Sequence, residues 1–141
     1  MHMQGTPQTM QDNPSYDDVV EAVRSFLIER ALQAQQAGVR RENVIIDPGI
    51  GFGKTREHNL TLMAHLQRFV DTGYPVLLGT SRKRFMGAVC NELEPQQLIG
   101  ATSATTAIGV AAGVRLFRVH DVRENRQAAD VAWAIKQARK H

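Results

Sequence analysis

Three glycines, each placed between a helix-like and a strand-like segment, most constrain what this chain can fold into. Gly38, Gly73 and Gly113 follow stretches with apolar residues at helical spacing, and they precede short apolar runs. This repeated order predicts βα units and a parallel sheet. Because crossovers between parallel strands are right-handed almost without exception, the carboxyl ends of the strands should all meet at one edge.

The predicted elements extend along nearly the whole chain of 141 residues. Helices are expected over 15–37, 57–72, 100–112 and 124–140, and strands over 44–47, 75–80 and 115–120. Ser15 should cap the first helix, and a further helical segment should follow Ser81. Residues 1–4 have the form of another strand. With 43% apolar residues, the chain can bury the core of one domain.

The first predicted strand ends on Asp47, which is followed by Pro48 and by glycines at 49, 51 and 53. Glycines let the backbone approach a ligand closely, and Phe52 between two of them offers an aromatic face. A buried carboxylate without a partner is costly, so Asp47 needs donors such as the amino group and ring N–H of a heterocycle. Alternatively, Asp47 only caps the glycine turn. Lys54 does not indicate a phosphate-binding loop, because Pro48 stands where that motif needs glycine.

The two later strands also end on charged groups. Ser81 is followed by three cations, which form either a solvated charge run or a group with one lysine, Lys83, reaching inward. Strand alternation places Arg118 and His120 on one face, where they would suit a phosphate or pyrophosphate. A structural role is the alternative for His120, but an arginine two residues away at the end of a strand favours a functional one. If the strands are parallel, all three strand ends contribute to one site.

Composition excludes several other classes of protein. The net charge is only +3 and the cations are scattered, which argues against nucleic acid as a partner. Cys90 is the single cysteine, so no intrachain disulfide can form and a cytoplasmic location is expected. The longest apolar runs are too short to cross a membrane. The histidines lack the spacing of metal ligands, so we expect no metal site within this chain.

Taken together, segments 1–7, 47–54, 81–83 and 118–121 resemble dihydropteroate synthase, the family of folate-pathway transferases inhibited by sulfonamides. The motifs occur in the family's order from the first residue nearly to the last. The resemblance implies a (β/α)₈ TIM barrel. It also implies that the small-molecule substrates are 6-hydroxymethyl-7,8-dihydropterin pyrophosphate and 4-aminobenzoate, which condense to 7,8-dihydropteroate and pyrophosphate.

The resemblance assigns a role to each candidate residue by position. Asp47 would bind the amino-pyrimidine edge of the pterin, and Lys83 its polar ring atoms. Arg118 would flank the ring and, together with His120, hold the departing pyrophosphate. These three basic residues would be the catalytic groups.

Three further substrate contacts follow from the same resemblance. Phe52 and Ser81 would border the aminobenzoate pocket, and Met1 would contact the pterin. The family also uses Mg²⁺, but its asparagine ligand belongs to an early motif that this sequence lacks.

Length is where the sequence departs from the family. A (β/α)₈ barrel takes about 250 residues, so residues 1–141 are expected to be a partial pterin-binding domain with the last four βα units, a half-barrel. Such a truncated product or fragment should be inactive alone unless it forms a homodimer or meets its missing half. Two alternatives stay open: a methyltetrahydrofolate-dependent methyltransferase domain, and a non-catalytic pterin-binding module.

Overall fold

Helices make up most of the structure, a computed structural model that describes residues 1–139. In chain order the elements are α1 (Val19–Gln36), α2 (Arg56–Ala64), α3 (Leu66–Val70), β1 (Leu77–Leu78), α4 (Arg84–Cys90), α5 (Ile99–Ala112), β2 (Leu116–Phe117) and α6 (Val122–Ala138), with 3₁₀ turns at Arg41–Asn43 and Pro95–Gln97. The expected end of the last helix, Lys140, lies outside the described residues. Within residues 1–139, none of the helices combines the length and apolarity that a bilayer crossing requires.

The sheet is parallel, as predicted, but its regular part is short. In the register of β1 and β2, Leu77 pairs with Leu116, and Leu78 pairs with Phe117. The predicted strand at 44–47 adds only a parallel bridge between Ile46 and Val76. The backbone N–H of His2 donates to the carbonyl of Asp47 at 3.1 Å, which places the N-terminal segment beside this strand.

The two faces of the sheet have different surroundings. Val76 and Leu78 point toward the helices and are each 1% exposed. On the opposite, inner face, alternation places Ile45 beside the half-buried Leu77 and Leu116. Ile45 is 48% exposed whereas Ile46 is 3% exposed, so this apolar strand is buried on one face only. Among the described residues, the helices cover one face and leave the inner face open.

Helix α5 lies close to the sheet because its residues are small. At Gly109, a Cβ would approach the ring of Phe117 to 2.8 Å and the side chain of Leu78 to 3.1 Å. The helix expected over 100–112 is therefore present and packs closely against the sheet. The rest of the core joins α1 to the strands through Val23 and Leu27, and α3 through Phe69.

The first helix begins later than predicted. Asp18 is its N-cap, and its carboxylate accepts from the backbone N–H of Glu21 at 3.0 Å, so Ser15 does not cap it. The N–H and carbonyl of Ser15 instead bind the side-chain amide of Gln4. An aspartate three residues downstream therefore satisfies the helix terminus, and Ser15 is free to hold the N-terminal segment.

The predicted helix over 57–72 is two helices. The helix is interrupted at His65. The N–H of His65 donates to the carbonyl of Leu62, and its ring nitrogen Nδ1 lies 2.8 Å from the carbonyl oxygen of Thr61. The imidazole thus bonds a carbonyl that a continuous helix would use internally. The break turns α3 so that Leu66 and Phe69 become buried.

Candidate functional site

Strand register creates the site at the inner face. Asp47, Gly79 and Arg118 share this face at the carboxyl ends of three adjacent strands. Because Gly79 has no side chain, the Arg118 guanidinium lies across it, 2.7 Å from where a Cβ would stand. The guanidinium Nη2 is 3.8 Å from the Asp47 carboxylate. Apolar inner-face residues therefore give way to charged groups where the strands end.

Asp47 caps the glycine turn, which is one of the two interpretations of the sequence, and its role toward a ligand stays a prediction. One carboxylate oxygen accepts from the N–H of Gly49 at 2.7 Å and caps the glycine turn. The other faces Arg118 at a distance too long for a hydrogen bond. Asp47 is buried, yet this second oxygen keeps capacity to accept from a ligand.

Lys83 points toward the glycine loop instead of forming part of a solvated charge run. Its ammonium lies 4.1 Å from the centre of the Phe52 ring, a cation–π contact. Desolvation lowers the pKa of Lys83, the positive charge of Arg118 lowers it further, and the carboxylate of Asp47 acts in the opposite direction. The lysine is therefore held beside both the carboxylate and the aromatic ring.

Ser81 and His120 connect the ends of β1 and β2. The Ser81 hydroxyl accepts from the backbone N–H of His120 at 3.0 Å, and its oxygen lies 2.7 Å from the imidazole Nδ1. Two contacts to one hydroxyl fix the ring relative to the strand. The imidazole is exposed on its other side, where Nε2 can bind a ligand.

These side chains surround one cavity of about 570 Å³. Six of the seven predicted site residues line it together with Gly79 and Val119: Met1, Phe52, Ser81, Lys83, Arg118 and His120. The seventh, Asp47, adjoins the cavity through Arg118. The structure therefore brings the predicted set together, while the role of each residue stays a prediction.

An ion pair that was not predicted from the sequence lies at the outer edge of the site. The Arg82 guanidinium donates twice to the Asp121 carboxylate, at 3.0 and 3.3 Å. Arg82 has a left-handed backbone (φ 59°), and its N–H donates to the Thr102 hydroxyl. The available signal was Asp121, which stands where an N-cap is expected although its side chain makes no capping bond.

A buried lysine, also not predicted from the sequence, lies behind the glycine loop. Lys54 is 3% exposed, and its ammonium donates to the carbonyls of Gly49 and Phe52, both at 2.8 Å. The ammonium nitrogen also lies 3.0 Å from Nδ1 of His2. Desolvation lowers the pKa of Lys54 to about 7, with a smaller lowering from Lys83 and an opposing effect of Asp47.

The same burial acts on His2, which was given no role from sequence. Its ring packs edge-on against Phe26 and is 6% exposed. Desolvation and then the positive charge of Lys54, with a smaller effect of the N-terminal ammonium, lower the pKa of His2 to about 4. The imidazole is therefore neutral at pH 7 and can accept the Lys54 hydrogen bond.

The described residues do not fit a Mg²⁺ site. Across residues 1–139, no three His, Cys, Asp or Glu side chains come close enough to share a metal ion. Mg²⁺ prefers oxygen ligands, but the groups at the cavity are chiefly cationic. The carboxylate that adjoins it, Asp47, already binds Gly49 and faces Arg118.

Comparison with known proteins agrees with this geometry. A family model described as pterin binding enzyme matches residues 1–120. The chain belongs to this pterin-binding enzyme family. The dihydropteroate synthase of Haemophilus influenzae is 48% identical over 122 residues, which cover 86% of this chain and 44% of the relative.

Members of the family with solved structures have the same fold. The dihydropteroate synthase of Yersinia pestis, solved with a sulfonamide drug, superposes with a TM-score of 0.93 at 36% identity, over 97% of this chain and 50% of that one. The dihydropteroate synthase of Thermus thermophilus, in complex with 6HMPPP, superposes with a TM-score of 0.89 at 44% identity, over 95% of this chain and 53% of that one. Its complex with 4-aminobenzoate superposes with a TM-score of 0.87 at 45% identity, over 92% of this chain and 52% of that one.

Two predictions are confirmed by these matches: the resemblance to dihydropteroate synthase and the α/β fold of a TIM-barrel family. The chain spans about half the length of the curated relatives it matches.

Proposed function

We propose that this chain forms the part of a dihydropteroate synthase active site that binds the pterin pyrophosphate. The proposal is carried by the convergence of Asp47, Lys83, Arg118 and His120 at one end of the inner face. A cavity of about 570 Å³ is within the usual range for small-molecule sites, ~300–1,000 Å³. The charges around it suit a ligand with both N–H donors and anionic groups.

In the proposed complex the pterin lies between Asp47 and Lys83. The free carboxylate oxygen of Asp47 would accept from the amino group and the adjacent ring N–H, which would replace the lost hydration of this buried charge. Lys83 would donate to polar ring atoms from the other side. Met1 lines the same cavity and would supply an apolar contact to the pterin.

Arg118 and His120 would bind the pyrophosphate. The Arg118 side chain is 60% exposed and carries donors suited to phosphate oxygens. As the carbon–oxygen bond breaks, its electron pair passes to the pyrophosphate, and the fixed cations favour this growing negative charge. The aromatic amine then forms the carbon–nitrogen bond and loses a proton. No side-chain nucleophile is required.

Phe52 and Ser81 are proposed to border the aminobenzoate, as the resemblance implies. A second cavity, of about 500 Å³, opens on the other side of Lys83 and is lined in part by Arg56 and Arg84. Cations there would suit the carboxylate of the second substrate. Held in this way, the amine would face the pterin across Lys83 and Phe52.

A half-barrel organisation is part of the proposal. Ile45, Leu77 and Leu116 leave an apolar inner face open, as four βα units of an eightfold barrel would. The remaining units, or a second copy in a homodimer, would cover it. We therefore propose that the 141 residues alone are inactive or nearly so, and that the expected Mg²⁺ ligands correspond to the part of the relatives that these residues do not span.

The two alternatives differ in what they require of the cations. A methyltransferase domain would bind a pterin through Asp47 but would not need Arg118 and His120 for pyrophosphate. A non-catalytic module would bind the ligand without any product forming.

A cytoplasmic location stays part of the proposal, supported by the exposed free thiol of Cys90, which a reducing compartment preserves.

Calorimetric titration of the chain with the pterin pyrophosphate, and with inorganic pyrophosphate alone, tests the proposal. Arg118→Met should weaken binding of both ligands by about tenfold or more, the loss of a charged hydrogen bond. Arg115→Met is the matched control, because Arg115 is exposed on the same chain segment and alternation points it to the other face. Equal losses in the two variants would refute the assignment.

Product formation separates the synthase from the alternatives. The chain is mixed with the amino-terminal half of the Haemophilus influenzae relative and both substrates, and dihydropteroate is measured. Product from the mixture supports the synthase. Pterin binding without measurable affinity for pyrophosphate would favour the methyltransferase domain.

A further inference from the structure

The buried ammonium of Lys54 is not used by the proposed chemistry. Lys54 lies behind the glycine loop, outside the cavity that Phe52 and Lys83 line, and it reaches the wall of the second cavity with its ammonium bonded to the loop. Burying a lysine is costly unless its donors are all satisfied. Here the three donors of the ammonium match three acceptors, the carbonyls of Gly49 and Phe52 and the ring of His2, at 2.8, 2.8 and 3.0 Å. The chain therefore holds this amine at a fixed point, and a pKa of about 7 leaves about half of it charged at neutral pH.

The two carbonyls that Lys54 binds define the shape of the loop. The N–H of Phe52 donates to the carbonyl of Gly49 at 3.0 Å, so these residues close a turn. The ammonium holds both ends of this turn from the buried side. On the other side the Phe52 ring stacks against Lys83. The turn thus lies between a buried cation and the cation of the cavity.

The same ammonium joins the loop to the N-terminal segment. It contacts the ring of His2, and the neighbouring residue, Met1, lines the cavity. A Cβ at Gly49 would overlap the His2 carbonyl oxygen, so the two backbones are in direct contact. Tyr16 adds a hydrogen bond from its hydroxyl to the Gly53 carbonyl at 2.8 Å. Lys54 is at the junction of these contacts.

We propose that Lys54 is a positioning residue for the pterin site: its ammonium sets the turn 49–52 so that the Phe52 ring meets Lys83 and the Asp47 carboxylate keeps one oxygen free. This inference rests on the proposed function for its effect on the ligand. Its effect on the loop does not depend on any ligand. The pKa of Lys54 is lowered because its ammonium is desolvated, so burial of this group lowers the stability of the fold while its hydrogen bonds order the loop.

Lys54→Met tests the proposal by separating loop order from overall stability. Amide hydrogen exchange is followed by NMR at Gly51 and Phe52, whose N–H groups are bonded within this region, and at core amides of α1 and α5. Exchange at the two loop amides should be at least about tenfold faster in Lys54→Met. The core amides should change little, because the methionine side chain is similar in length to that of lysine and removes only the buried charge. Binding of the pterin pyrophosphate should weaken by a similar factor.

Two comparisons complete the experiment. Lys136→Met is the matched control, because Lys136 also binds a carbonyl, that of Val110, but on α6. It should leave loop exchange and ligand binding unchanged. Lys54→Arg keeps the charge, whereas Lys54→Gln does not, so loop exchange should be slower in Lys54→Arg than in Lys54→Gln. This second pair of variants decides the question if Lys54→Met fails to fold.

The outcomes distinguish this inference from the proposed function. Unchanged loop exchange in Lys54→Met would overturn the inference, and so would equal acceleration at loop and core amides, which marks a general structural role. If the wild-type chain does not bind the pterin pyrophosphate, the proposed function fails instead, and the exchange rates of the ligand-free chain still decide the role of Lys54.

Discussion

Acidification should destabilise this chain through His2 more than through an exposed histidine. Burial and the charge of Lys54 lower the pKa of His2 from 6.5 to about 4. Between these two values the unfolded chain binds a proton at His2 that the folded chain does not. The free energy of unfolding therefore falls as the pH drops through this window, and it is fully regained above pH 6.5.

The size of the effect follows from the lowered pKa. At about 1.36 kcal/mol per pH unit, the full contribution is roughly 3 kcal/mol. About 2 kcal/mol of it should be lost between pH 7 and pH 5, where most carboxylates remain ionised. That is a large fraction of the stability of a domain of this size, typically ~5–15 kcal/mol.

Urea unfolding at pH 7 and pH 5 measures this loss in the wild type and in His2→Gln, which cannot titrate. The difference in the free energy of unfolding between pH 7 and pH 5 should be about 2 kcal/mol smaller in the variant, whatever its stability at pH 7. His65→Gln is the matched control, since the His65 ring is exposed, and it should keep the wild-type difference. An unchanged pH difference in His2→Gln would refute the reasoning.

Three further substitutions test the glycines and the core. Gly79→Ala should place a methyl group against the Arg118 guanidinium, leaving stability within about 1 kcal/mol by urea unfolding while calorimetry shows weaker binding of pyrophosphate. Gly49→Ala should cost more than about 2 kcal/mol, because φ is +72° and the new Cβ would meet the His2 carbonyl; a smaller loss by urea unfolding would contradict this. Phe69→Ala, at a wholly buried ring, should cost about 3–5 kcal/mol in the same assay, and a loss under about 1 kcal/mol would show that the site collapses.

The inner-face arrangement was predictable because it depends on two regular properties. Strand side chains alternate with period two, and parallel strands align their carboxyl ends, so Arg118 and His120 were expected on one face and at the same edge as Asp47. The same argument places Ser81 and Lys83 at this edge. That Asp47 shares the face of Arg118 depends on the register of the strands, which only the structure gives. These predictions needed no knowledge of individual contacts.

Contacts between distant residues could not be predicted in this way. The Lys54 ammonium binds His2 across 52 positions of sequence, and Arg82 pairs with Asp121 across 39. Neither spacing matches a helix or strand period. The exposure of Ile45 cannot be read from the strand pattern either, because the pattern shows that a residue is apolar but not whether another element covers its face.

The balance of charge at the cavity argues for an anionic ligand independently of any relative. Lys83 and Arg118 lie close to the Asp47 carboxylate, and Lys54 lies just behind the loop, so the cations outnumber the anions at this end of the inner face. Mutual repulsion is one reason why the pKa of Lys83 is lowered. A pyrophosphate between Arg118 and His120 would relieve this repulsion, and its departure would restore it. In the proposed reaction, the cations that would favour breakage of the carbon–oxygen bond would thus also retain the pyrophosphate, which would have to leave before another pterin bound.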